Sequence, residues 1–275
     1  MSLSGLRVLS LESRRAAEIE TLIRKQGGEP FVAPSVEERA LADHSDAFRL
    51  AEELESGRIE MLILTTGVGL SFWREVVGSG RADAALRKTK LLTRGPKPSA
   101  VLRSAGIAPD ITIPEPNTWR EIVEAVRGRA ERRLAIQEYG RPNQQLVEAL
   151  REQGAQVETF ALYRWELPAD TRLLRQAAHK LSRNEFDLVL FTSGVQLDHL
   201  FAIAEEEKLA EEVKRALAER VVIASIGPIM NEALAGRGLK ADIVPESPKM
   251  GALVYAAAEL AAGALERKRA VSSGS

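Results

Sequence analysis

The apolar run Met-Leu-Ile-Leu at residues 61–64 and the turn Thr-Thr-Gly-Val at 65–68 decide the fold, because the pair occurs twice. The second copy is Leu-Val-Leu-Phe at 188–191, followed by Thr-Ser-Gly-Val at 192–195. Short, continuous apolar runs predict parallel strands buried on both faces. Small hydroxyl residues beside glycine predict the start of a helix. Each copy therefore predicts a strand, a turn and a helix of an α/β protein.

The repeat extends well beyond this stretch. Arg-Gly-Pro at 94–96 corresponds to Ile-Gly-Pro at 226–228, and residues 105–111 parallel residues 237–243. The two copies lie far apart in the sequence, and so long an interval indicates two copies of one α/β domain rather than a solenoid. Each copy holds about five strand–helix units. We therefore predict an α/β protein with two flavodoxin-like, doubly wound parallel-sheet domains.

Composition bounds the chemistry. The chain has 275 residues, of which 45% are hydrophobic and 28% charged, as expected of a well-cored protein of about two domains. Lys and Arg number 38 against 39 Asp and Glu, and this balance argues against non-specific nucleic-acid binding while leaving a local basic cleft open. The absence of cysteine excludes disulfides, thiolate nucleophiles and cysteine metal sites, and three scattered histidines disfavour a histidine metal site. We expect no metal.

Nothing in the chain predicts export or membrane insertion. The N-terminus lacks a basic region followed by a long apolar stretch, and the apolar run at 251–263 is short and interrupted by Glu259. We expect a cytoplasmic protein with no membrane contact. Residues 266–275 are interpreted as a flexible tail.

Ligands of open α/β sheets bind beyond the carboxyl ends of the strands, and four predicted strands end there in small-hydroxyl or glycine-rich turns. Backbone N–H groups at the helix starts can bind anions, and hydroxyls can add hydrogen bonds. Helix capping alone would also explain any one turn. Four such turns favour an anion-binding cleft. The candidate substrate-binding residues in the turns are Thr65, Thr66, Gly67, Arg94, Gly95, Lys97, Thr192, Ser193, Gly194, Ser225 and Gly227.

Other candidates lie at neighbouring strand ends. Arg14 and Lys249 could pair with ligand carboxylates, and Tyr139 and Gly140 open another loop, followed by Arg141. Tyr163 follows an apolar strand and is either a proton donor or a tyrosine packed at a domain boundary. Neither a GxxxxGK[ST] loop nor a GxGxxG turn is present, so the sequence does not support a nucleotide- or flavin-dependent enzyme.

The ordered set of motifs resembles the uroporphyrinogen-III synthase family over nearly the whole chain. The matching stretches are 65–69, 94–97, 139–142, 163–164, 191–196, 226–228 and 245–251. The resemblance implies that hydroxymethylbilane loses water and closes to uroporphyrinogen III with its terminal ring inverted, without metal or organic cofactor. It aligns Tyr163 with the family tyrosine proposed to assist the leaving group, and Thr66 and Ser193 with cleft positions.

The resemblance also implies a discontinuous domain. Residues 1–34 and 168–265 would form one domain and residues 37–163 the other, joined by two linkers. The expected partners are a polycarboxylate tetrapyrrole substrate and, transiently, hydroxymethylbilane synthase, with the protein a monomer. The alternative is a non-catalytic two-domain protein of the same fold that binds or senses an anionic ligand.

Overall fold

The computed structural model describes residues 2–140 and 142–273, and Arg141 lies outside the described residues. The chain divides into two compact units. Unit 1 comprises Met1–Glu37 with Glu166–Ser275, and unit 2 comprises Glu38–Trp165. The first boundary directly follows the expected linker at 34–37, and the second lies within the expected linker at 163–168. The difference is the C-terminal segment, which belongs to unit 1.

Parallel strands and covering helices make up both units, so the predicted α/β class is confirmed. The strands are β1 (Arg7–Ser10), β2 (Glu29–Val32), β3 (Glu37–Ala40), β4 (Met61–Leu64), β5 (Lys90–Thr93), β6 (Ile111–Thr112), β7 (Arg133–Gln137), β8 (Gln156–Phe160), β9 (Tyr163–Glu166), β10 (Leu188–Phe191) and β11 (Val222–Ser225). The helices are α1 (Ala16–Lys25), α2 (Ser45–Glu55), α3 (Gly67–Val77), α4 (Ser79–Leu86), α5 (Pro96–Ser104), α6 (Trp119–Val126), α7 (Gln144–Glu152), α8 (Arg172–Ser182), α9 (Gly194–Glu206), α10 (Ala210–Glu219), α11 (Pro228–Gly236) and α12 (Met250–Ser273).

The sheet of unit 1 has the order β11-β10-β1-β2, and a single parallel bridge from Ala224 to Ile243 extends it beyond β11. Strand β10 is buried on both faces. Leu188 and Leu190 pack into the cluster that contains α12, whereas Val189 and Phe191 pack into the opposite cluster beneath α8 and α9. This alternation explains why an uninterrupted apolar run forms a central parallel strand.

The sheet of unit 2 has the order β6-β5-β4-β7-β8, with all pairs parallel. Strand β4 repeats the pattern of β10: Leu62 and Leu64 face one apolar cluster, and Met61 and Ile63 face the other. Counted from β4, the chain runs outward through β5 and β6 and then returns to β7 on the other side. Unit 2 thus has the same kind of doubly wound sheet as unit 1, but its chain begins at a different strand of that sheet.

Two expectations about the connecting and terminal segments are corrected. The second predicted linker contains the short strand β9, and β3 begins where the first predicted linker ends. These two strands pair with each other in a two-stranded sheet. The predicted flexible tail at 266–275 is wrong for its described part, because α12 continues to Ser273. The Nζ of Lys268 donates hydrogen bonds to the carbonyls of Leu217 and Val221 and lies 2.9 Å from Asp242 Oδ2. These contacts fix the charged end of α12 to unit 1.

Candidate functional site

The site of unit 2 lies where its winding reverses. The chain leaves β4 toward β5 on one side and leaves β7 toward β8 on the other, so a crevice opens beyond the carboxyl ends of β4 and β7. Thr65 and Thr66 follow β4 directly, and β7 ends in Gln137. This topology brings together residues that are far apart in the sequence.

Thr66 begins helix α3 and contacts the tyrosine singled out from the sequence. Its backbone is extended, and its Oγ1 accepts a hydrogen bond of 3.1 Å from the N–H of Gly69. The same oxygen lies 3.1 Å from the hydroxyl of Tyr163. Tyr163 is only 2% exposed, and its ring packs against Phe72. Thr66 therefore both caps the helix and bonds the phenol. Tyr163 is a packed tyrosine that also forms a hydrogen bond, and its role as proton donor stays a prediction.

Gln137 is a functional candidate that the sequence analysis missed. It is fully buried, and its Oε1 accepts from the N–H of Thr66 at 3.2 Å. Its Nε2 donates to Thr66 Oγ1 at 3.3 Å and to the carbonyl of Glu138. The Thr65 hydroxyl in turn donates to the Gln137 carbonyl at 2.6 Å. The available signal was its place as the last residue of a predicted strand at the ligand-binding edge.

Arg94 supplies the positive charge of this site. Its Nε donates to the Thr65 carbonyl at 3.1 Å, and its guanidinium lies 4.7 Å from the ring centroid of Tyr139. Among the described residues no carboxylate forms an ion pair with Arg94, although part of its surface is exposed. Burial lowers the pKa of Arg94, while the tyrosines beside it oppose that shift. Arginine nevertheless keeps its charge in proteins, so this cation is available for an anion.

Two predicted glycines serve the packing of neighbouring side chains. Gly95 has φ of +89°, and a Cβ there would stand 2.7 Å from Asn117 Oδ1. Gly140 has φ of +78°, and a Cβ would stand 2.6 Å from the ring of Trp165. Trp165 in turn meets Tyr139 edge-on at 5.6 Å between centroids. Glycine is required at both positions because the left-handed backbone and the close neighbour leave no room for a side chain.

A carboxyl group lies next to Gln137. Burial raises the pKa of Glu138, and the nearby charge of Asp46 adds to the rise, against a hydrogen bond with Thr159 that lowers it. Glu138 also holds the end of β7 in place, since its N–H donates to the Phe160 carbonyl. It is a second residue that the sequence analysis did not select.

Unit 1 has the equivalent crevice beyond β10 and β1, with different chemistry. The amide of Gln196 bonds both the N–H of Thr192, through Oε1 at 2.8 Å, and its hydroxyl oxygen, through Nε2 at 2.7 Å. The Thr192 hydroxyl then donates to Glu12 Oε2 at 2.6 Å. Where Arg94 lies in unit 2, the repeat places Ile226 in unit 1. The ligand-binding edge of unit 1 thus carries an acid, Glu12 after β1, and has the apolar Ile226 at the position of Arg94.

The remaining predicted site residues differ in what they can offer a ligand. Ser193 begins α9 without a side-chain capping bond to any described residue. The hydroxyls of Thr65 and Ser225 are buried and bond the carbonyls of Gln137 and Gly227, and the expected role of these two residues in substrate binding stays a prediction. The other predicted site residues could offer a ligand backbone groups or a positive charge. In unit 2 they are Gly67, which is buried, and Lys97, which is exposed; in unit 1 they are Gly194 and Gly227, which are buried, and Arg14 and Lys249, which are exposed.

Other classes of site receive no support from the described part of the chain. No cluster of three or more His, Cys, Asp or Glu residues within it could hold a metal ion. None of its helices combines the length and the apolar character needed to cross a membrane.

Comparison with known proteins identifies the family. The model of the uroporphyrinogen-III synthase HemD family matches residues 17–255. The chain belongs to the uroporphyrinogen-III synthase family. The chain is also similar to the uncharacterized protein YjjA of Bacillus subtilis, to which it is 30% identical over 261 residues, covering 92% of this chain and 94% of the relative.

Solved structures agree with this assignment of the synthase family. A mutant uroporphyrinogen III synthase from Thermus thermophilus is 25% identical, with a TM-score of 0.73, over 96% of this chain and 100% of that one. A uroporphyrinogen-III synthetase from Helicobacter pylori is 14% identical, with a TM-score of 0.57, over 93% of this chain and 99% of that one. At that identity the second structure supports the fold alone.

Proposed function

We propose that this protein is an active uroporphyrinogen-III synthase of tetrapyrrole and heme biosynthesis. It would convert hydroxymethylbilane to uroporphyrinogen III with loss of water and inversion of the terminal ring, acting in the cytoplasm without a cofactor. The observation that carries the proposal is the set of polar groups beyond the carboxyl ends of the strands of unit 2. There a phenol, a hydroxyl and a guanidinium without a carboxylate partner among the described residues converge on one strand edge.

The substrate chemistry fits these groups. Hydroxymethylbilane carries many carboxylates, which a guanidinium binds with two parallel hydrogen bonds. Backbone N–H groups at the start of α3 add donors aided by the helix dipole. Because the chain has a net charge of -1, its overall field does not attract a polyanion, so such local donors must supply the binding.

The reaction makes modest chemical demands. The hydroxyl group must leave with a proton, and the electron-poor end that remains must be held until the ring carbon attacks it. We assign the proton donation to Tyr163, whose phenol is already hydrogen-bonded to Thr66. Restriction of the substrate to the geometry that leads to ring inversion supplies the rest of the rate enhancement.

The decisive experiment supplies hydroxymethylbilane enzymatically and separates the type I and type III products. The proposal expects type III product in excess of the spontaneous type I background. Tyr163→Phe should fold and lower kcat about a hundredfold, in line with the usual contribution of a general acid. Tyr255→Phe, which alters an exposed tyrosine on α12, is the matched control and should leave turnover unchanged.

Two outcomes would count against the proposal. If only type I product forms at the spontaneous rate, the protein binds or senses an anion without catalysis, as the alternative reading holds. If Tyr163→Phe turns over like the unaltered protein, the enzyme assignment stands but Tyr163 is removed from the mechanism.

A further inference from the structure

The direction of the hydrogen bond between Thr66 and Tyr163 can be deduced from its surroundings. Two hydroxyls 3.1 Å apart can donate either way. The amide of Gln137 removes this ambiguity. The backbone N–H of Thr66 can only donate, so the acceptor Oε1 of Gln137 must face it. The Nε2 group then faces the carbonyl of Glu138, which can only accept. Both neighbours demand the same orientation of the amide.

This orientation determines the role of the Thr66 hydroxyl. A hydroxyl has one proton and two acceptor sites. Thr66 Oγ1 accepts from Gln137 Nε2 at 3.3 Å and from the N–H of Gly69 at 3.1 Å, so both acceptor sites are filled. Its proton is left for Tyr163, whose phenol oxygen must accept it.

Unit 1 contains the same chain of bonds with an unambiguous direction. Gln196 Nε2 donates to the hydroxyl of Thr192, and that hydroxyl donates to Glu12 Oε2. A carboxylate can only accept, so the order there is amide, threonine hydroxyl, acceptor. In unit 2 the order is the same, with Tyr163 in place of the carboxylate.

We propose that Gln137 is a positioning residue that makes Thr66 donate to Tyr163, so that the phenol does not use its own proton in the bond with Thr66. This inference rests on the proposed function of Tyr163 as proton donor. The accepted hydrogen bond also favours transfer of that proton, because it stabilises the phenolate that remains. Gln137 itself touches neither substrate nor leaving group.

A double-mutant cycle tests whether Gln137 acts through Thr66. Gln137→Met removes the amide at similar length, Thr66→Val removes the hydroxyl at similar shape, and Thr66→Ser keeps the hydroxyl. We expect each of the first two to lower kcat about tenfold with little change in KM, as for loss of one hydrogen bond. The double variant should be no slower than the slower single variant, and Thr66→Ser should restore turnover. Losses that multiply in the double variant would overturn the proposal.

A spectroscopic measurement tests the bond without catalysis. The chain has three tyrosines, so labelling them with carbon-13 at Cζ gives three signals, which Tyr163→Phe and Tyr255→Phe assign. We expect Gln137→Met and Thr66→Val to shift the Tyr163 signal in the same direction. Thr66→Ser should leave the Tyr163 signal unchanged, and the Tyr255 signal should not move in any of these variants. If Gln137→Met does not fold, Gln137→Asn replaces it, because the shorter amide cannot reach Thr66.

The two measurements separate the proposals. A protein that makes no type III product but shows the coupled signals keeps this hydrogen-bond assignment and loses the proposed function. A Tyr163 signal that responds to Thr66→Val and not to the Gln137 variant overturns the positioning role, whether or not the protein is active.

Discussion

The side chain of Gln137 fills the space in unit 2 that a side chain on Gly69 would need. A Cβ on residue 69 would overlap the side-chain nitrogen of Gln137 and stand 3.0 Å from Cε1 of Tyr163. The equivalent residue of unit 1 is Gln196, whose own amide bonds the turn after β10. In each unit one glutamine amide holds the turn at the switch point, supplied by strand β7 in unit 2 and by helix α9 in unit 1. The absence of a side chain at Gly69 is what admits the amide from β7.

Gly69→Ala should therefore displace Gln137 and Tyr163. We expect overpacking of about 1–3 kcal/mol in the free energy of unfolding and a loss of kcat. Urea unfolding and the isomer assay measure the two effects. Gly80→Ala is the matched control, since it lies in α4 with no described atom within 4 Å of its Cβ position. Equal stability and turnover of Gly69→Ala and Gly80→Ala would contradict this packing argument.

Arg94→Met should weaken substrate binding. Loss of charge-assisted hydrogen bonds worth about 1.5–3 kcal/mol corresponds to a rise in KM of about ten- to a hundredfold. Arg94→Lys should recover only part of the loss, because an ammonium cannot form the paired bonds of a guanidinium. The control is Arg103→Met, which removes a positive charge from the exposed end of α5. An unchanged KM in Arg94→Met would exclude Arg94 from substrate binding.

The two helix starts should differ in stability although their sequences match. Thr66 accepts a capping bond from Gly69, whereas Ser193 forms no side-chain cap with a described residue. Thr66→Ala should lower the free energy of unfolding by about 1–2 kcal/mol, and Ser193→Ala by a few tenths. Urea unfolding of the two variants decides this comparison. A larger loss for Ser193→Ala would show that its hydroxyl caps α9 in solution.

Acid should weaken unit 2 through Glu131. Its hydrogen bond with Lys90 is the largest cause that lowers the pKa of this carboxyl, from 4.5 to about 2, and Arg129 contributes as well. A carboxyl whose pKa is lower in the folded state stabilises the fold above its unfolded pKa of 4.5, and that contribution is lost as pH falls toward 2.

Glu131→Gln makes this contribution measurable. Because solvent screens the partly exposed Lys90, we expect a cost of only about 1 kcal/mol at neutral pH. The difference between variant and unaltered protein should shrink as the pH is lowered through this interval. Unfolding curves recorded from neutral pH downward provide the test, and a difference independent of pH would assign the loss to packing instead of charge.

Local pattern predicted the strands well. The runs at 61–64, 90–93 and 188–191 form strands at those positions. The first and third are apolar at every residue because they are parallel strands buried on both faces, whereas the second is apolar only at Leu91 and Leu92. The short strand β3 has the mostly polar sequence Glu-Glu-Arg-Ala and gives no local strand signal. The sequence Tyr-Arg-Trp-Glu of β9 does alternate between aromatic and charged residues, and the linker interpretation overlooked this signal. The charged end of α12 resembles a solvated tail in sequence, since only the packing against unit 1 brings carbonyl and carboxylate partners to Lys268.

The sequence by itself determined the repeat, the α/β class, the family and the turns at which ligand-binding groups follow the strands. These follow from residue order, because burial and helix capping depend on near neighbours along the chain. Only the tertiary structure decided which side chains bond one another at those turns. Gln137 and Thr66 are 71 residues apart, and their contact depends on the pairing of β4 with β7. The pairing of β4 with β5 places Arg94 against the carbonyl of Thr65, whereas the ligand-binding edge of unit 1 has Glu12 after β1.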